Sequence, residues 1–238
     1  MAEADTKTND NGGTEISAAA LRRRMRLAYA TPVLAWPWPD SQKLNDALAT
    51  AILAAEKRAP SVENNIVGGW SSKKDLLSWK VDGMAELSRR IQALAGAATR
   101  ATNAANAAMS VRFRLEAWAN VLRAGGYHNV HDHPNAVWSG VYYVSAPVLD
   151  KARPLAGVIE FLDPRQGADA NSLPGSSLRE RLRYAPVPGL MIVFPGWLRH
   201  MVHPVASAGE RISISFNVYG AEVGSPRRGQ VTPAPPPQ

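Results

Sequence analysis

The segment HNVHDHPNAVWSGVYYV, residues 128–144, decides the fold of this chain and holds three of its five histidines. His131 and His133 stand two apart. On an extended strand, residues i and i+2 face the same side, so these two rings can converge on one point. The run VWSGVYYV that follows has the β-branched and aromatic content of a strand. The other two histidines, His200 and His203, lie in HMVH, just after the strand-like run GLMIVFP at 189–195. Strand parity therefore selects His131, His133 and His200 as metal ligands. It predicts that His128 and His203, each three positions from a ligand, face away unless a bulge intervenes. Asp132, adjacent to His131, is expected to point out of the site. His128 and His203 are assigned to supporting the ligands or to facing the substrate.

Working outward, VRFRLEAWANVL (111–122), GVIEFLD (157–163) and RISISFNVYG (211–220) are further strand-like runs bounded by Gly, Pro, Asp and Asn. Short strands so spaced suggest a sandwich, jelly roll or barrel. In the last run Arg211, Ser213, Ser215 and Asn217 share one face, while Ile212, Ile214 and Phe216 share the other. An apolar face packed outward on helices and a polar face lining a barrel account for this pattern. Arg211 then points into the cavity, where an unpaired guanidinium is costly, and a bidentate carboxylate is its natural partner. The structural alternative is an internal ion pair with Glu160 or Asp163.

The N-terminal half has a different period. Leu44, Leu48, Ile52 and Leu53 fall at helical spacing behind the cap-type residues Asp40 and Ser41, and Met84, Leu87, Ile91 and Leu94 repeat it. Gly68–Trp70 and Ser71–Ser72 read as a turn between these helices, and residues 164–185 as a long loop over the site. The polar stretch 1–20 and the Pro-rich stretch 224–238 read as disordered tails. Between them, 21–223 is expected to form one domain, mainly β, with a helical N-terminal part at about 40–110.

Composition narrows the chemistry. The chain has no cysteine, which excludes disulfides and thiolate sites, so a metal must be held by nitrogen and oxygen ligands. Iron, manganese, nickel and zinc all suit imidazoles. The net charge of +7 sits largely in short arginine runs. No aromatic-basic interleaving or DNA-binding motif accompanies them, so no nucleic-acid partner is expected. The basic-then-apolar stretch 22–38 is interrupted by Pro32 and Pro37 and closed by Pro39, and no segment has the length of a membrane span. The expected location is cytoplasmic.

Taken together, HDHPNAVWSGVYYV (131–144), FLDPR (161–165), FPGWLRHMVHPV (194–205) and RISISFN (211–217) resemble the Fe(II)/2-oxoglutarate-dependent oxygenases, specifically a bacterial group with H-x-H-P-N followed by W-S-G-V-Y-Y. The resemblance implies a double-stranded β-helix, the jelly-roll barrel also seen in cupins. It implies His131 and His200 as iron ligands and Arg211 as the anchor of 2-oxoglutarate, assisted by Ser213, with Tyr142 or Tyr143 nearby. The chemistry implied is C–H hydroxylation by dioxygen, coupled to decarboxylation of 2-oxoglutarate to succinate. Asn217 and Trp138 are placed with His128 and His203 around the centre. The substrate, a small molecule or a peptide, and the oligomeric state are not encoded in any motif.

The chain departs from the superfamily in one respect. His133 stands where most members have aspartate, which leaves the site one charge unit more positive. The third ligand is then either His133 or Glu160, and the native metal stays open. Two rival readings remain. A three-histidine cupin dioxygenase would turn over without 2-oxoglutarate, although the glutamate of the cupin signature is missing. A barrel that has lost catalysis would act by binding alone.

Overall fold

The computed structural model describes residues 6–8, 14–16, 29–62, 65–102, 112–148, 151–167, 181–206 and 208–221. The described residues divide into two units between Thr31 and Pro32. In the first, Thr6–Thr8 (β1) and Thr14–Ile16 (β2) pair antiparallel. The rest of the stretch read as an N-terminal tail, and all of 224–238, lie outside the described residues.

In the second unit the order is β3 (Leu34–Pro37), α1 (Gln42–Glu56), β4 (Ile66–Ser71), a 3-10 turn (Leu76–Ser78) and α2 (Met84–Thr102). Then come β5 (Arg112–His131), β6 (Trp138–Ser145), β7 (Ile159–Phe161), β8 (Leu182–Tyr184), β9 (Leu190–Pro195), β10 (His200–Val202) and β11 (Arg211–Ala221). All strand pairs are antiparallel, in the order β3-β9-β6-β11-β5-β10-β7-β8, with β4 also on β5.

The 20-residue β5 holds this order together. Its first half, 112–122, pairs with β11, while its far end pairs with β10. Between the halves lies Arg123–Gly126, with Gly125 at φ 85°, a conformation that favours glycine. The strand thus leaves one layer (β5, β11, β6 and β9, extended by β3 on β9 and β4 on β5) and enters the other (β5, β10, β7, β8). Two such layers form a double-stranded β-helix.

Alternation along the strands creates two apolar layers. Ile212, Ile214, Phe216, Ala117, Ala119, Tyr142 and Met191 face outward and pack with Leu48, Ile52, Leu87 and Ile91 of the helices. Val141, Tyr143, Ile159, Phe161, Ile192 and Phe194 face inward. Helix α1 buries Leu44, Leu48 and Ile52, one turn apart. Ser41 precedes it without capping it: its hydroxyl donates to the Trp38 carbonyl and accepts from Arg90.

Two expectations are corrected. Residues 66–71, read partly as a turn, form β4, because Trp70 and Ser71 pair with Val121 and Asn120. Residues 182–184, read as loop, form β8 on β7. Both strands are short, and neither has a clear alternation to announce it.

Candidate metal centre

His131 ends β5 and His200 begins β10, and the two stand directly opposite in register. His133 lies two residues beyond the end of β5, where its N–H donates to the Gly196 carbonyl at 2.8 Å. Pro134 and Asn135, the latter at φ 69°, then turn the chain toward β6. Proline followed by a positive-φ asparagine is the sequence of a type II turn. Gly196 backs this turn so closely that a Cβ there would meet the Ala136 carbonyl and lie 2.9 Å from the His133 carbonyl.

The candidate ligand atoms of His131, His133 and His200 all lie within 4.8 Å of one another. The ring centroids are 4.3 Å apart for His131 and His200, and 5.2 Å apart for each pair involving His133. Backbone carbonyls orient two of the rings. His131 Nδ1 is 2.7 Å from the Asn129 carbonyl, and His200 Nδ1 is 2.9 Å from that of Leu198. A carbonyl only accepts, so each Nδ1 carries its proton and each Nε2 keeps a lone pair. Burial holds all three rings below the ordinary histidine range. His133 is pushed to about 3, with the neighbouring His131 and Lys74 adding to the effect, and His200 lies well below the ordinary value. The cluster is therefore neutral at pH 7, the form that binds metals.

His128 breaks the parity rule. β5 carries one extra residue between its pairs His131–His200 and His128–Val202. That bulge returns His128 to the ligand face. It is buried, its ring lies 6.0 Å from that of His131, and burial first, then Arg211, lowers its pKa to about 3.

Arg211 faces inward, with 1% of its surface exposed. Its Nε donates to the Gly157 carbonyl (3.0 Å) and its Nη1 to Ser213 Oγ (3.1 Å). The guanidinium lies 5.0 Å from the Tyr143 ring centre; Nη2 and the Tyr143 hydroxyl make no well-aligned hydrogen bond among the described residues, yet they lie close enough that each favours the charged form of the other. A buried cation with a spare donor, beside a spare hydroxyl, suits an entering carboxylate.

The alternative carboxylates are committed elsewhere. Glu160 binds Arg183 at 2.7 Å and His203 Nε2 at 2.8 Å, between the two inward-facing residues of β7, and Asp163 binds Arg165 at 2.6 Å. Glu160 is thus absent from the histidine cluster, and so is His203. Trp138 belongs to the outer layer, where its indole donates to Thr99 Oγ1. Tyr142 is there too, donating to Asn45 Oδ1. Of the two tyrosines, only Tyr143 faces Arg211. Asn217 faces inward, accepting from Ser139 and donating to the Tyr219 hydroxyl.

Two cavities meet at the histidines. The inner one, about 20 Å³, is lined by the three histidines, His128, Arg211 and Ser213 among others. The outer one, about 290 Å³, adds Asn65, Lys74, Trp118, Asn217 and Tyr219. Ser215 borders both and accepts from Asn120 Nδ2, whose Oδ1 accepts from Ser71. The alternation of Trp118 and Asn120 in β5 could have revealed this wall. Asn65 and Lys74 come from β4 and its surroundings, where no pattern pointed to a site.

Known proteins resemble the chain in sequence pattern and in fold. Residues 116–217 match the family model described as "Putative 2OG-Fe(II) oxygenase". Among solved structures, a Pseudomonas putida prolyl-4-hydroxylase is 14% identical, with TM-score 0.57 over 81% of this chain and 94% of that one. HygX from Streptomyces hygroscopicus, solved with nickel, 2-oxoglutarate and hygromycin B, is 13% identical, with TM-score 0.51 over 79% of this chain and 83% of that one. A Trichoplax adhaerens prolyl hydroxylase, solved with a peptide fragment, is 10% identical, with TM-score 0.52 over the same shares. At these identities the likeness is one of fold. No curated protein matches the chain. Among the described residues, no helix is long and apolar enough to cross a membrane.

Proposed function

We propose that the chain is a 2OG-Fe(II) oxygenase, whose family model matches residues 116–217, and that it hydroxylates a C–H bond of a small-molecule or peptide substrate, with His131, His133 and His200 holding the iron. The observation that carries this reading is the juxtaposition of three converging neutral imidazoles with Arg211, a buried cation that keeps one donor free. Arg211 binds the distal carboxylate of 2-oxoglutarate, and Ser213 and the Tyr143 hydroxyl complete its seat. The cofactor pair supplies activation of dioxygen, coupled to loss of carbon dioxide from the oxo acid, with succinate as co-product.

The protein's own contribution is threefold. The Asn129 and Leu198 carbonyls fix the tautomers of two ligands, so Nε2 is presented without prior proton loss. Phe161 and Phe194 pack on His200 and keep water from the inner side of the centre. The outer cavity admits the substrate along Trp118, Asn217 and Tyr219. Glu160, held by Arg183 and His203, takes no part in binding the metal. A cytoplasmic enzyme is part of the same reading.

The test is succinate formation. Purified protein with Fe(II), 2-oxoglutarate, air and ascorbate as the two-electron reductant that substrate-free turnover requires should produce succinate slowly, and His200→Ala should abolish it. Absence of succinate from the wild-type protein under these conditions would overturn the proposal. Turnover that is independent of 2-oxoglutarate would indicate the cupin chemistry instead.

A further inference from the structure

His128 is the one inward-facing histidine that the metal centre leaves unused. Only 8% of its surface is exposed, and its ring nitrogens make no hydrogen bond among the described residues. It borders the inner cavity with Arg211 and Ser213, and also the outer one. On one side its ring lies 6.0 Å from that of His131. On the other lies Arg211, whose charge is felt by His128 and by none of the other three site histidines. The residue stands between the carboxylate anchor and the ligands.

That position is no accident of regular strand geometry. Without the extra residue in β5 between His128 and His131, the imidazole would point away from the cavity. As packing, a largely buried polar ring beside a buried cation is a poor choice, since its nitrogens gain no partner and reach solvent only through the cavities they border. A dicarboxylate entering from Arg211 toward the histidines would change this, because the cavity it would occupy is the one that His128 lines with Arg211 and Ser213.

We propose that His128 is a cosubstrate-binding residue, donating a ring N–H to 2-oxoglutarate where the oxo acid lies between Arg211 and the three histidines. The inference rests on the oxygenase reading given above. It adds a donor from β5 to Arg211 and Ser213 of β11 and the Tyr143 hydroxyl of β6, so that the oxo acid is gripped from three strands. A second role follows. His128 also borders the outer cavity, so it separates the cosubstrate from the incoming substrate.

The experiment titrates the Zn(II)-loaded full chain with 2-oxoglutarate by calorimetry, and follows the melting temperature of the metal-free protein with and without it. Wild type is compared with His128→Phe, which keeps a ring but removes both nitrogens, and His128→Gln, which keeps a donor. The inference expects His128→Phe to weaken 2-oxoglutarate binding tenfold or more, His128→Gln to weaken it less than threefold, and Zn(II) affinity to stay unchanged in both. His128→Leu replaces the phenylalanine variant if that one does not fold. Binding by His128→Phe within threefold of wild type overturns the inference, as does a loss of Zn(II) affinity that matches the loss of 2-oxoglutarate, which would mean that His128 only supports His131. If wild type itself binds no 2-oxoglutarate, the oxygenase reading fails and the inference falls with it, a result distinguishable from the other two.

Discussion

Arg211→Met separates the stability of this barrel from its function. In the free protein the guanidinium has two of its donor groups satisfied, by Gly157 and Ser213, and Nη2 unsatisfied, with no carboxylate partner among the described residues. Methionine keeps the length of the apolar stem. It forfeits two hydrogen bonds from a charged group, about 3–6 kcal/mol together, but removes a buried unpaired charge whose desolvation costs several kcal/mol. These terms offset each other, so the metal-free variant should melt within a few degrees of wild type.

Binding should respond quite differently. Removing one partner of a desolvated charge pair costs about 2–5 kcal/mol, a factor of roughly thirty to several thousand in the Kd for 2-oxoglutarate. Differential scanning fluorimetry gives both quantities from one sample, since the ligand-induced rise in Tm follows the ratio of ligand concentration to Kd. Wild type should show the rise at millimolar 2-oxoglutarate, and the variant should not. A variant that retains the rise refutes the assignment of Arg211 as anchor. A variant that unfolds without ligand refutes the argument that Arg211 is held at a cost to stability.

Three further outcomes follow. The folded-state pKa of His128 and of His133 is about 3, whereas in the unfolded chain each is about 6.5. Between these values the unfolded state binds more protons, so stability is fully present above pH 6.5 and is lost as the pH falls toward 3. At pH 5 the loss should reach about 2 kcal/mol per group, measurable by urea titration of the metal-free protein; a flat profile from pH 7 to 5 would contradict it. Secondly, His133→Ala should lower Zn(II) affinity about a hundredfold. His203→Ala, which removes only a partner of Glu160, should leave it unchanged while costing about 1 kcal/mol of stability. Competition with a chromophoric chelator reads both. Thirdly, Gly196→Ala should displace the turn behind His133, costing about 1–3 kcal/mol and weakening metal binding along with stability.

Much of this site is legible in the sequence because it rests on the two-residue period of strands. Arg211, Ser213, Ser215 and Asn217 alternate with Ile212, Ile214 and Phe216, and the structure places the first set inward and the second against the helices. The convergence of His131 and His133 is a strand-end relation, with a turn carrying the second ring. His128 turns inward by the bulge that parity admits as its exception, and a bulge leaves no mark in residue types: HNVHDH reads the same with or without an extra residue in the ladder. Trp138 and Tyr142 were drawn toward the site by their motif, yet parity puts them on the face opposite Tyr143. The donors that hold Glu160 away from the cluster, Arg183 and His203, come from separate strands, and pairing between distant strands cannot be read from local pattern.

The account stands or falls on whether the histidine cluster and Arg211 form a single centre. Under anaerobic conditions, the protein is given Fe(II) and then 2-oxoglutarate while the visible absorption spectrum is recorded. The account predicts a weak charge-transfer band that needs both additions and is missing from both His200→Ala and Arg211→Met. A spectrum unchanged by 2-oxoglutarate, or a band that persists at full intensity in either variant, would contradict it.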